Sequence, residues 1–246
     1  VKKELVKTSN YERFKLGIKA VERRGAPEAS LVLVVGDPGF SKSIVVNRWA
    51  IENKAIYLRA KTTWTPSRFL NDLAVELRVD TGGGAKQVFG RVVAAVGRLQ
   101  IPLVIDEVQH CLRNNAETLE AVRDISDLTE TIVVLVAGVE RVQARIANFP
   151  QISSRVASVI EFLPASADDI ARTCAELIEP EVAPDLVEEI RRQSGGRMRQ
   201  IINAIAVVEA EAKRTGKRKV TAADFAGKAL VHDWQSSLRR SPRGPQ

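Results

Sequence analysis

The sequence predicts an α/β fold: a parallel sheet sandwiched by helices, followed by a small all-α unit. Three observations carry this expectation. Apolar runs of strand length alternate with helical patterns over the first 163 residues, the alternation that builds doubly wound sheets. The stretch GDPGFSKS (36–43) lies between one such run and one such helix. Beyond Leu163 the apolar residues recur at helical spacing only.

Taken in order, residues 1–30 form an N-terminal arm whose TSNYERFKLGIKAVERRG reads as one helix, expected to pack near a bound base. Strands are expected at 31–35, 55–60, 102–107, 131–138 and 157–162. Several are apolar on both faces, as a sheet covered on both sides requires. Helices are expected near 42–52, 66–78, 86–99, 116–128 and 140–147. Thr65-Pro66 marks a helix start, with proline in the first turn. DTGGGAK (80–86) separates two helices, because glycine runs break both regular structures. These elements make a core over 31–163.

A helical region follows over 164–232, built from ASADDIARTCAELI, APDLVEEIRRQSG, RMRQIINAIAVVEAEAKRTG and TAADFAGKALVHDW, with no further strand. Thr221 heads TAAD, a capping-box pattern. Residues 233–246 read as a basic, flexible tail rich in proline and glycine.

Composition narrows the function. With 45% apolar residues, the 246-residue chain can bury a substantial core. No apolar run approaches the roughly 20 residues that span a bilayer, so no membrane is expected as partner. Cys111 and Cys174 belong to no C-x-x-C pair or histidine cluster. Reduced thiols in a cytoplasmic protein follow. The net charge of +7 and a pI near 9.6 point to a polyanionic partner. The charge concentrates in RRQSGGRMRQ (191–200), KRTGKRK (213–219) and the tail.

GDPGFSKS follows the phosphate-loop pattern G-x-x-x-x-G-K-[ST] at Gly36, Lys42 and Ser43, with serine in place of the second glycine. Gly36, Asp37, Pro38, Gly39, Phe40 and Ser41 would wrap phosphates with backbone N–H groups at a helix N-terminus. Lys42 would reach the β- and γ-phosphates, and the Ser43 hydroxyl would ligate Mg²⁺. Downstream, PLVIDE ends an apolar strand in two carboxylates. Asp106 is placed to hold the water shell of the metal, and Glu107 to polarise an attacking water. Bound ATP with Mg²⁺ is the expectation. Ser41 leaves two cases open. At positive φ its Cβ would weaken nucleotide binding, whereas in ordinary helical geometry a small side chain would cost little.

The ordered set LVLVVGDPGFSKSIVVNRW, YLRAKTTWTPSRFLNDLAVEL, LVIDEVQHC, LVLVAGVERV, SSRVASVIEF and GGRMRQIINAI resembles AAA+ ATPases. The match is closest to their DNA-transposition branch, that of phage Mu B protein (MuB), TniB and TnsC. The resemblance runs from about Ser30 to Asp233. It implies a P-loop AAA+ core followed by a helical lid, ATP hydrolysis, and residence in the cytoplasm of a bacterial host carrying a phage or mobile element. By the same resemblance Arg155, with Arg145 as second candidate, is the arginine that reaches a neighbouring subunit's γ-phosphate. Arg199, in the pattern Gly195-Gly196-x-x-Arg, is the lid arginine. Other AAA+ proteins with alanine in the place of Ser41 still use ATP. One departure is Val139, where the family usually ends its fourth strand with a polar side chain. Glu140 and Arg141 are the alternatives, and turnover is expected to be slow. The N-terminal helix-turn-helix region of MuB is larger than the 30-residue arm.

The resemblance also implies an ATP-dependent homo-oligomer, a helical filament or ring around double-stranded DNA, that selects target DNA and activates a transposase. The segments that would face DNA are RAKTTWT and GGGAKQVFGR. They supply Lys61, Thr62, Thr63 and Lys86, then Arg59 and Arg91, as phosphate contacts. Trp64 is expected in the core. KRTGKRK either adds attraction for DNA or is a solvated helix end. No zinc spacing or base-reading helix is present in the sequence, so binding should tolerate any sequence. The alternatives are another AAA+ regulator of the loader or initiator kind, and an ATP-gated interaction module with little hydrolysis. A protein-remodelling motor is disfavoured by the lack of aromatic pore loops.

Overall fold

The computed structural model describes residues 1–2, 5–138 and 141–231. Val139, Glu140, residue 232 and the tail 233–246 lie outside the described residues. The described residues divide into two compact units, one formed by Asn10–Leu163 and the other by those within Val1–Ser9 together with 164–231.

The larger unit holds five parallel strands: β1 (Leu31–Val35), β2 (Ile56–Arg59), β3 (Leu103–Asp106), β4 (Val133–Val136) and β5 (Val156–Glu161). Their order across the sheet is β2-β3-β4-β1-β5. Every residue of β1, β3 and β4 is buried. Branched apolar side chains on both faces suit these central strands, because helices cover the sheet from both sides. The helices are α1 (Ser9–Glu22), α2 (Lys42–Glu52), α3 (Pro66–Glu76), α4 (Ala85–Leu99), α5 (Glu117–Thr129), α6 (Val142–Ala147) and α7 (Pro150–Ser153).

Local chemistry sets several boundaries. The Thr65 hydroxyl accepts from Arg68 N at 3.3 Å and Pro66 opens α3, which satisfies an orphan donor at the helix start. Between α3 and α4 the chain takes the open turn that its glycines predict, with Gly83 at φ +88°. On α1, Phe14 meets Trp49 of α2 edge-on at 5.8 Å and Phe162 at 6.4 Å. Trp64 is buried against Phe69 at 5.4 Å between ring centres. It is part of the core, as expected.

The smaller unit is mostly helical: α8 (Ala167–Leu177), α9 (Pro184–Ser194) and α10 (Met198–Thr215). Ser166 caps α8 by accepting from Asp169 N at 3.1 Å, while the Asp169 carboxylate accepts from Ser166 N and from Ser9 N and Oγ. Two expectations need correction here. A short parallel pair, β6 (Glu181–Val182) and β7 (Lys219–Val220), stands where no strand was expected. Two residues per strand leave no periodicity to detect. The TAAD capping box is formed, but it heads a single 3₁₀ turn over Ala222–Phe225, not a longer helix.

The cluster KRTGKRK is largely neutralised within its own unit. Lys213 pairs with Glu209, Arg214 with Glu211, Lys217 with Asp224 and Lys219 with Glu181.

Candidate nucleotide site

The loop 36–41 leaves the C-terminal end of β1 and delivers the chain into α2. That is where ligands of open parallel sheets bind. Gly36 is required on two counts. Its φ is +133°, and a Cβ there would overlap the carbonyl of Phe162 on the neighbouring chain segment. Phe40 is buried and anchors the loop.

Ser41 has φ +68° and ψ +14°, so the unfavourable case for its Cβ is the one realised. Its hydroxyl is buried and has no hydrogen-bond partner among the described residues. It gives α2 no side-chain cap. A left-handed non-glycine residue and an orphaned hydroxyl both oppose this conformation.

Lys42 is buried, and its ammonium donates to the carbonyls of Gly36 at 2.5 Å and Asp37 at 2.9 Å. The charged side chain folds over the loop whose amides would receive phosphate. Burial pushes its pKa down, and Asp37, Glu107 and Asp106 oppose that shift through their negative charge. Lys42 therefore lies within electrostatic reach of both carboxylates at the end of β3.

Asp106 is buried at that strand end. Its Oδ1 accepts from Glu107 N at 2.8 Å and its Oδ2 from the Tyr57 hydroxyl at 2.6 Å. Tyr57 comes from β2, paired in register with β3. Burial first, and then the hydrogen bond to Asp106, raise its pKa well above the usual phenol range, with the Ser43 hydroxyl close enough to oppose the shift. Tyr57 thus ties β2 to the aspartate that ends β3.

Glu107 sits at φ +57°, turning its side chain out of the strand direction. One carboxylate oxygen faces Arg59 at 3.3 Å, and the other accepts from the Gln109 amide. The carbonyl oxygen of Gln109 accepts from Gly138 N at 2.9 Å.

Hard oxygen donors at Ser43 and Asp106, few in number and beside a phosphate-sized loop, are a donor set suited to Mg²⁺. That ion keeps most of its ligands as water and phosphate oxygens.

The remaining predicted residues are dispersed. Arg155 precedes β5, and its carbonyl accepts from Leu31 N at the first residue of β1. At about 3.3 Å per residue, the length of β1 puts it roughly 16 Å from the loop of its own sheet. Its guanidinium is held by both oxygens of Asp127 at 3.1 Å. Arg145 donates to the Leu112 carbonyl at 3.0 Å. Arg199 is exposed on α10 of the smaller unit, and Arg141 is exposed at the start of α6.

Lys61, Thr62, Thr63 and Lys86 are exposed. Lys61 pairs with Asp72 at 2.7 Å. Arg113 donates to the Thr62 carbonyl at 2.6 Å and Arg68 to the Thr63 carbonyl at 3.1 Å. Besides Lys61, two more of the expected phosphate contacts have partners within the protein. Arg91 is occupied by the carbonyls of Asp80 and Gly82 and the Asp80 carboxylate, so it fastens the glycine turn. Arg59 points its charge at Glu107.

Sequence reasoning missed Tyr57, Gln109, Arg68 and Arg113. A tyrosine in a half-buried strand signals a hydroxyl that needs a partner, but the partner is fixed only by strand order. Gln109 carries no signal at all.

Residues 26–146 match the family model of an AAA domain. No curated protein matches the sequence. Among solved structures, the chain is similar to Cdc6p from Pyrobaculum aerophilum, with 16% identity and a TM-score of 0.64 over 94% of this chain and 69% of that one. It is similar to the ORC2 protein of Aeropyrum pernix in its ADPNP-ADP complexes, with 15% identity and a TM-score of 0.66 over 94% and 70%. It also resembles the Aeropyrum pernix ORC1 protein in complex with DNA, with 19% identity and a TM-score of 0.60 over 91% and 64%. The chain spans about two thirds of the length of these proteins. The chain has the AAA+ P-loop fold. Among the described residues, no helix is long and apolar enough to cross a membrane.

Proposed function

We propose that this chain is an ATP-dependent DNA-binding ATPase that uses ATP as an assembly switch. The observation that carries the reading is the convergence of Lys42, Ser43, Asp106 and Glu107 at the C-terminal ends of β1 and β3. Lys42 and the loop amides would hold the phosphates, Ser43 and Asp106 the Mg²⁺, and Glu107 the attacking water. The magnesium ion would supply charge neutralisation between the β- and γ-phosphates. Ser41 at positive φ argues for modest affinity and slow turnover.

The position of Arg155 favours an oligomer. An arginine at the opposite end of the sheet from its own loop serves a neighbour's nucleotide, and a head-to-tail repeat of that contact makes a ring or filament. Assembly would draw Arg155 away from Asp127.

Duplex DNA is the partner that suits the exposed loop 60–65. Lys61, Thr62 and Thr63 lie there, and Arg68 and Arg113 add cations around it. Arg59 links this loop to the catalytic carboxylate. A phosphate competing for Arg59 would release Glu107, so DNA would stimulate hydrolysis. Nothing in this surface favours base reading.

Target-DNA selection and activation of a transposase rest on the ordered motifs that resemble the transposition branch. An initiator-like regulator is the second reading. It is supported by the likeness to Cdc6p and ORC proteins, one of them bound to DNA.

Fluorescence anisotropy with a random-sequence duplex, in ATP, ADP or no nucleotide and at two salt concentrations, tests the shared mechanism. Cooperative, salt-sensitive binding in ATP alone is expected. Equal binding in all three states, or none, would overturn it.

A further inference from the structure

We infer that Gln109 is a positioning residue for hydrolysis, an amide clamp that ties the catalytic carboxylate of Glu107 to the end of β4. The inference rests on the proposed ATPase reading and deepens it.

The orientation of the Gln109 amide has one solution. An ionised carboxylate only accepts hydrogen bonds, and a backbone N–H only donates. The NH₂ group must therefore face Glu107 and the carbonyl oxygen must face Gly138, as observed. The side chain bridges two strand ends: Glu107 follows β3, Gly138 follows β4, and the strands are neighbours in the sheet. Gly138 permits this, because a Cβ there would overlap both the Glu107 carboxylate and the Gln109 amide.

The clamp has a physical purpose. Glu107 is in the left-handed region and only partly buried, so its own backbone does not fix the carboxylate. Arg59 holds one oxygen from β2 but is itself largely exposed, at 73% of its side-chain surface. A salt bridge of that kind is weak and easily exchanged. Gln109 holds the other oxygen with a neutral donor, which orients it without adding a second positive charge. Gln109 reaches the end of β4 from the turn that follows β3.

The test uses two variants that separate the two halves of the clamp. Gln109→Glu keeps the length and the acceptor for Gly138 N but cannot donate to ionised Glu107. Gln109→Leu removes both bonds at similar volume. Phosphate release by the full chain is measured with ATP, Mg²⁺ and duplex DNA, alongside binding of a fluorescent ATP analogue and thermal unfolding.

Both variants should lose about 10–100-fold in kcat, the scale of a misplaced catalytic group. KM and analogue affinity should stay within about threefold of the parent. Three outcomes overturn the assignment: parental kcat in Gln109→Glu, affinity falling in step with kcat, or loss of folding in both variants. A parent that binds ATP but releases no phosphate overturns the hydrolytic reading, and the clamp with it. An active parent with unaffected variants overturns the clamp alone.

Discussion

The Tyr57 hydroxyl donates a 2.6 Å hydrogen bond to Asp106 Oδ2, joining β2 to the buried carboxylate that ends β3. With Glu107 N on the other oxygen, the carboxylate is held from both sides. Preorganisation of this kind lowers the ordering cost of binding. Removing the hydroxyl leaves a buried acceptor short of one partner.

Tyr57→Phe should therefore destabilise the protein by about 1–3 kcal/mol, the penalty for an orphaned buried group. It should also weaken Mg²⁺-dependent nucleotide binding severalfold. Thermal unfolding with and without MgATP reads both effects. Unchanged melting would show that Asp106 finds a replacement partner.

Ser41→Gly should be a gain. It relieves a left-handed serine, worth about 1 kcal/mol, and removes an unpartnered hydroxyl. The variant should melt higher and bind ATP several times more tightly. Titration with a fluorescent ATP analogue decides the second point. Weaker binding would mean that the serine hydroxyl has a partner in the nucleotide itself.

Arg155 and Glu107 should complement one another in trans. Arg155→Ala and Glu107→Gln each abolish most hydrolysis in a subunit interface that needs both groups. An equimolar mixture should recover activity at about a quarter of the sites, the random fraction in a head-to-tail assembly. Phosphate release from the mixture is the measurement. No recovery would place both groups in one subunit's chemistry, or remove Arg155 from it.

Lys61→Ala should weaken duplex binding in ATP and reduce the slope of log affinity against log salt by about 1. Anisotropy titrations across salt concentrations provide it. An unchanged slope would remove Lys61 from the phosphate contacts.

Acid should loosen the same loop. Burial raises the pKa of Asp72, but hydrogen bonds from Lys61 and Trp64 outweigh it and leave the carboxyl below its usual value. A depressed carboxyl contributes stability above its unfolded pKa, about 3.9, and loses it as pH falls through the folded value. Between pH 6 and 8 the contribution should not change. Below about pH 4 the bonds to Lys61 and Trp64 should break, shifting tryptophan emission. Asp72→Asn should remove that step.

Legibility in the sequence followed the range of the interactions. The turn that holds Gly36, Lys42 and Ser43 was readable because it is local, eight consecutive residues between a strand and a helix. Asp106 and Glu107 were readable because a carboxylate pair ends an apolar run. The bonds of Arg91 to Asp80 and Gly82 left no mark in the sequence, because a cation beside a glycine turn looks the same whether it meets phosphate or fastens the turn. β6 and β7 were too short to leave a pattern.

Local patterning was enough for the α/β core, the order of its strands along the chain, the turn between β1 and α2 and the switch to helices after Leu163. Each of these follows from periodicity or from neighbours in sequence. The left-handed Ser41 and the contact of Tyr57 with Asp106 emerge only when the chain is folded. The same holds for Gln109, which spans two strand ends, and for Arg155, which sits at the far end of the sheet from its own loop. Those relationships depend on the strand order β2-β3-β4-β1-β5 and on backbone dihedrals. Neither is written in local spacing, because residues distant in sequence become neighbours only once the sheet has closed its register.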